Sequence, residues 1–134
     1  MAVVLVVDDD VSLSRVFARG LATAGYRVHI AHNAEDALRE IHYETPDAII
    51  VDFRMPMING GGFLHRLRAE SAYHDTPVLV ITADAFLSDE IRADLRDLGA
   101  ELRLKPLSLD DLLAATRQLL TLTHPPIASR SRAT

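Results

Sequence analysis

Five short apolar runs, each followed by an amphipathic stretch, alternate along the 134 residues of the chain. This alternation is the signature of βα units wound into a largely parallel sheet. The first run, 3–7, is β-branched at nearly every position, and it leads into 12–24, where Leu13, Val16, Phe17, Leu21 and Ala24 recur at helical spacing. That stripe is expected to face the core, with Ser14, Ala18 and Ala22 turned outward. Gly25 punctuates, 26–31 alternates as a strand, and Asn33 with Asp36 caps a helix that ends before Pro46. The third strand is 48–51, and its helix begins Gly60-Gly61-Gly62 and buries Phe63, Leu64 and Leu67. Pro77 opens a fourth strand at 78–82, and Ser88-Asp89-Glu90 places a cap and two acids at the next helix start. After Gly99 the fifth pair is 101–104 and 108–120, the helix carrying an apolar stripe of Leu109, Leu112, Leu113, Thr116, Leu119 and Leu120.

Strands covered on both faces read as continuous apolar runs, whereas edge strands interleave polar residues. The first, third and fourth runs are continuous. The second (Arg27, His29) and fifth (Glu101, Arg103) are not, which places them at the edges. The order is then 2-1-3-4-5, an α/β flavodoxin-like, doubly wound (βα)5 sheet in one domain over residues 1–122. Residues 123–134, with Pro125-Pro126 and a Ser/Arg-rich end, read as a flexible tail. Zero Cys removes disulfides and thiolate chemistry and suits a reducing compartment, with the cytoplasm as the expected location. No apolar run approaches a membrane span, and a net charge of −5 lacks the positive field that drives direct nucleic-acid binding. The six His residues show no metal-ligand spacing such as HExxH.

In such a sheet the ligand site lies beyond the carboxyl ends of the strands at the topological switch point, here between the first and third strands. Asp8, Asp9 and Asp10 close the first strand, and Asp52 closes the third. Adjacent strands lie about 4.8 Å apart, so these carboxylates converge. Two unit charges about 4 Å apart repel by roughly 4 kcal/mol at an effective dielectric near 20, so the cluster needs a cation or a shared proton. Oxygen-only ligands at a sparse, open site favour Mg²⁺, or Mn²⁺ by the same chemistry. Asp10 is better placed to cap the first helix. Thr82 and Lys105 end the fourth and fifth strands, and a hydroxyl and an ammonium at the same rim suit a phosphoryl group on a carboxylate.

These pieces together resemble the receiver domain of the two-component response regulator family. The matching stretches are Val6-Val7-Asp8-Asp9-Asp10, Val51-Asp52-Phe53-Arg54-Met55-Pro56, Asn59-Gly60, Ile81-Thr82-Ala83 and Leu104-Lys105-Pro106. The resemblance implies that Asp52 accepts a phosphoryl group from the phosphohistidine of a histidine kinase or histidine phosphotransfer domain. It implies Mg²⁺ held by Asp9, Asp52 and the backbone carbonyl of Arg54, with Asp8 acting mostly through water. It also implies that Lys105 contacts the phosphoryl oxygens, that Thr82 swings toward them, and that the Lys105–Pro106 peptide bond is cis. On this reading the chain is a single-domain phosphorelay protein that catalyses only its own phosphorylation and dephosphorylation and passes the signal to a downstream protein target.

The chain departs from the family at Leu102, where relatives carry Tyr, Phe or His three residues before the Lys. Arg54 and Asp84 each lie two residues beyond a strand-end site residue, and the matched offset suggests a gate over the acyl phosphate. Two rivals differ in class. Asp8-Asp9-Asp10-Val11 also matches the D-x-D-x-V motif of haloacid dehalogenase-like phosphatases, in which Asp8 would be the nucleophile, although Asp110-Asp111 falls in a helix start rather than at a strand end. The other rival is a phosphate-independent interaction module that keeps only the fold.

Overall fold

The computed structural model describes residues 1–123, with side chains through Thr121. In chain order the elements are β1 (Val3–Val7), α1 (Val11–Thr23), β2 (Arg27–Ala31), α2 (Ala34–Tyr43), β3 (Ala48–Asp52), α3 (Gly60–Ala69), a single 3₁₀ turn (Ser71–Tyr73), β4 (Val78–Thr82), α4 (Asp89–Asp97), β5 (Ala100–Leu104) and α5 (Leu109–Thr123). All strand pairs are parallel, in the order β2-β1-β3-β4-β5. This is the flavodoxin-like arrangement expected from the polar edges. The expected tail lies outside the described residues except for Thr123, the last residue of α5.

Side chains alternate across the sheet, so each central strand feeds two cores. β3 sends Ile49 and Val51 to the side covered by α2, α3 and α4, where Ile41, Phe63, Leu64, Leu67 and Leu95 pack. It sends Ala48 and Ile50 to the side covered by α1 and α5, against Phe17, Leu21, Leu112 and Leu119. Every residue of β3 and β4 is buried, and none of the first four residues of β5 is more than half-buried. Side-chain caps start the helices where the sequence places them: Asn33 accepts from Asp36 N, Asn59 from Gly62 N, and Ser88 from Ile91 N. No described helix is long and apolar enough to cross a membrane.

Two helix faces differ from expectation. On α1 the buried residues are Ser14, Phe17 and Leu21, while Val16 is 57% exposed and Ala24 is also exposed. Ser14, expected outward, is fully buried because its hydroxyl donates to the Val11 carbonyl and so carries no unpaired donor into the core. Val16 precedes Phe17 and is turned about 100° from it around the helix, where it overlooks a groove between α1 and α5 that Gly20, Leu109 and Leu113 also line. Ala18 is half-buried and Ala22 exposed, so the proposed stripe of small outward residues does not form. On α5 Leu109 stands at the margin, exposed, and Ala115 takes a buried place beside Thr116. The 3₁₀ turn was not anticipated, and it carries Tyr73 into the core.

Candidate functional site

The acidic residues sit where the parallel sheet ends. Val7 pairs with Ala31 on one side and Val51 on the other, so Asp8 and Asp52 leave neighbouring strands at the same rim. Asp8 N donates to the Ala31 carbonyl at 3.0 Å, and the Asp8 carboxylate accepts from Asp10 N at 2.9 Å. Asp10 faces away and caps α1, accepting from Leu13 N at 3.0 Å. Asp8, Asp9 and Asp52 each offer a carboxylate oxygen, and the three lie within 4.8 Å of one another. Asp8 and Asp52 are only 4% and 8% exposed, while Asp9 opens to solvent.

Lys105 leaves β5 with its N–H donating to the Thr82 carbonyl at 2.8 Å. Its Nζ lies 3.4 Å from Asp52 Oδ1 and 3.6 Å from Asp8 Oδ2. The Lys105–Pro106 peptide bond is cis. Thr82 is fully buried, and its Oγ1 accepts from Asp84 N at 3.1 Å. Arg54 and Asp84 meet across the two loops, Nη2 to Oδ2 at 2.8 Å. Gly60 has a steric reason: a Cβ there would lie 2.9 Å from Phe53 Cα and 3.0 Å from the Asp52 carbonyl oxygen, both backbone. The close approach lets Gly60 N donate to the Phe53 carbonyl at 2.7 Å, which ties α3 to the end of β3 just after Asp52.

His32 is a contributor that motif reading passed over. Its Nδ1 donates to the Asp8 carbonyl at 2.9 Å and so steadies the acidic loop. The one available signal was a polar residue immediately after the second strand. Asp110 and Asp111 lie in the first turn of α5, and Asp111 N is held by the Ser108 hydroxyl. They are not members of the acidic cluster.

Burial pushes the Asp52 carboxyl above the usual range, and the neighbouring Asp8 charge adds to the shift while the Lys105 ammonium opposes it. Burial likewise raises Asp8, against the Asp10 N–H and Lys105. A carboxyl raised in the folded state contributes stability that is fully present below its unfolded pKa and is lost as pH rises through the folded value. Ionising these two buried, only partly compensated carboxyls as pH rises therefore works against the metal-free fold. The donor set is all oxygen, negatively charged and partly open, which fits a hard divalent cation such as Mg²⁺. In EDTA at pH 7, Asp52→Asn is expected to stabilise the protein by about 1 kcal/mol, a rise in Tm of roughly 3–5 °C. The gain should shrink near pH 4, about the ordinary carboxylate pKa. Thermal melts at the two pH values check this, and a lower Tm for the variant at pH 7 would contradict it.

Comparison with known proteins agrees with this geometry. A family profile described as response regulator receiver domain matches residues 4–117. The chain is 39% identical over 131 residues to the response regulator MprA of Mycobacterium bovis (strain BCG / Pasteur 1173P2), covering 97% of this chain and 55% of that protein. It thus spans about half the length of the curated relatives it matches. Among solved structures, the Vibrio cholerae chemotaxis protein CheY4 superposes with a TM-score of 0.82 at 33% identity, covering 90% of this chain and 99% of that one. The receiver domain of Francisella response regulator 1452 gives 0.81 at 27% identity, covering 92% and 99%. By its profile match, its relatives and its fold, the chain belongs to the response regulator receiver domain family, a signalling module of two-component systems.

Proposed function

We propose that Asp52 is the phosphoryl acceptor of this receiver, taking the group from a phosphohistidine on a histidine kinase or histidine phosphotransfer domain. The observation that carries the reading is the cluster itself, with Asp8, Asp9 and Asp52 together and the Lys105 ammonium 3.4 Å from Asp52. A carboxylate oxygen of Asp52 attacks phosphorus in line, the P–N bond to the donor imidazole breaks, and the imidazole leaves with that electron pair. The product is an acyl phosphate, and water later attacks phosphorus and returns the carboxylate and inorganic phosphate.

Asp9, Asp52 and the Arg54 carbonyl would hold Mg²⁺ (or Mn²⁺), with Asp8 behind them through water. Bound there, the cation supplies neutralisation of the charge that spreads over the phosphoryl oxygens. Lys105 meets the same charge from the other side, and burial strengthens its pull. The buried Thr82 hydroxyl accepts one N–H, and among the described residues it donates to none, so its proton is available to a phosphoryl oxygen. The only chemistry assigned to the protein is its own phosphorylation and dephosphorylation, in the cytoplasm, with the signal passed to a protein target. Incubation with acetyl phosphate and Mg²⁺, followed by mass spectrometry, is expected to place one phosphoryl group on Asp52. A phosphoryl group on Asp8 would favour the dehalogenase-like phosphatase chemistry instead.

Arg54 and Asp84 form the gate over the acyl phosphate in this scheme. Asp84 is held below the usual carboxylate range by the Phe86 N–H and then by Arg54, so it stays ionised and keeps the pair closed. Arg54 is largely exposed, so solvent screens the pair and caps the effect. Replacing both residues with Ala is expected to shorten the phosphoprotein half-life about two- to fivefold. An unchanged decay removes the gate.

A further inference from the structure

The loop between β4 and α4 carries a side chain that folding does not use. Phe86 is 92% exposed, although Leu87 beside it is buried in the core. Its backbone is nevertheless held. Phe86 N donates to Asp84 Oδ1 at 2.8 Å, and Asp84 N donates to Thr82 Oγ1 at 3.1 Å. Arg92 braces the loop on either side of Phe86, with Nη2 on the Ala85 carbonyl at 3.0 Å and Nε on the Leu87 carbonyl at 3.2 Å. Asp84 Oδ2 is taken by Arg54 from the loop after β3. A chain of hydrogen bonds therefore runs from the buried hydroxyl of Thr82 through both ends of Asp84 to the backbone of an exposed aromatic residue. β5 offers no comparable path: Leu102 is half-buried on the core beside Ala100 and has no polar handle.

We infer that Phe86 is the outward reporter of phosphorylation in this chain, moved by Asp84. The inference rests on the reading of Asp52 as phosphoryl acceptor. A phosphoryl group at Asp52 acts on Asp84 in three ways. It draws the Thr82 hydroxyl, loosening the bond that holds Asp84 N. It competes for Arg54, and its negative charge repels the Asp84 carboxylate. Each effect shifts the residue whose Oδ1 holds Phe86 N. Leu87 stays anchored in the core, so the displacement falls on residues 84–86 and reorients the ring. The exposed ring changes its position relative to the rim, which alters the surface offered to a protein partner.

The chain has no Trp, so Phe86→Trp creates a single fluorescent reporter at a solvent-exposed position. With Mg²⁺ and acetyl phosphate, the emission of this variant should change in proportion to phosphoprotein measured by intact mass. In the Phe86→Trp/Asp84→Ala variant, the change per mole of phosphoprotein should fall to less than half. Phe86→Trp/Asp84→Asn, which keeps an acceptor for the residue 86 N–H, should retain more of it, and far-UV circular dichroism checks that all three are folded. Phosphorylation without an emission change, or an equal change in the Ala variant, overturns the relay while leaving Asp52 as acceptor. Absence of any phosphoprotein in Phe86→Trp and in the unsubstituted chain overturns the acceptor reading and the relay with it.

Discussion

Lys105→Ala is expected to slow phosphorylation of Asp52 by acetyl phosphate about 10²- to 10³-fold, the loss typical when one preorganised charge or donor is removed from a water-poor site. The ammonium lies within 3.6 Å of both buried carboxylates and belongs to the strand end, so it needs no reorganisation as charge develops. Removing it has a second consequence of opposite sign for the cation. Asp8 and Asp52 lose their only cationic neighbour among the described ion pairs, so the cluster becomes more negative and Mg²⁺ affinity should hold or rise. Slow phosphorylation with undiminished Mg²⁺ binding, measured by stopped reaction and calorimetric titration, separates a role in the reaction from collapse of the site. A rate within about threefold of the unsubstituted protein would contradict the assignment, since preorganised charge is worth far more.

Phe63→Ala is expected to cost about 3–5 kcal/mol, a large part of the roughly 5–15 kcal/mol that holds a domain together. Phe63 is fully buried and is among the largest such side chains in the molecule. It sits one residue after the glycine-rich start of α3 and packs with Val51, Val80 and Leu67, so it fastens α3 to the strands that end in Asp52 and Thr82. Val51 and Val80 are fixed in central strands and cannot collapse into the space left behind. At a urea slope of about 2 kcal/mol/M, the unfolding midpoint should drop by roughly 2 M. Phe86→Ala removes the same group from a position that is almost wholly exposed and should shift stability by no more than about 0.5 kcal/mol. Equal midpoints for the two variants would show that α3 is not anchored as described.

The strand order was legible because the edges betray themselves. Arg27 and His29 on β2, and Glu101 and Arg103 on β5, are tolerable only where one side of a strand meets solvent, whereas Val78–Thr82 has no polar residue before its end. The site was legible for a related reason: in a parallel sheet the residue that ends a strand is placed by topology, not by loop conformation, so Asp8, Asp52, Thr82 and Lys105 could be gathered at one rim. What depends on helix rotation was not legible. Ser14 satisfies its own hydroxyl and passes for a surface residue in sequence, while Val16, an apolar residue next to Phe17, passes for core. The loop after β4 was equally hidden, because the hold of Asp84 on Phe86 N and of Arg92 on two carbonyls has no periodicity to read. The Arg54–Asp84 contact was suggested only by the matched offsets of the two residues from their strand ends.

Peptide-level mass spectrometry of the protein after treatment with acetyl phosphate and Mg²⁺ tests the central claim most directly. A single base-labile, hydroxylamine-labile phosphoryl group on Asp52, absent when EDTA replaces Mg²⁺ and absent in Asp52→Asn, is the predicted result. An unmodified Asp52 in folded, Mg²⁺-saturated protein, or a phosphoryl group on Asp8 in its place, would contradict it.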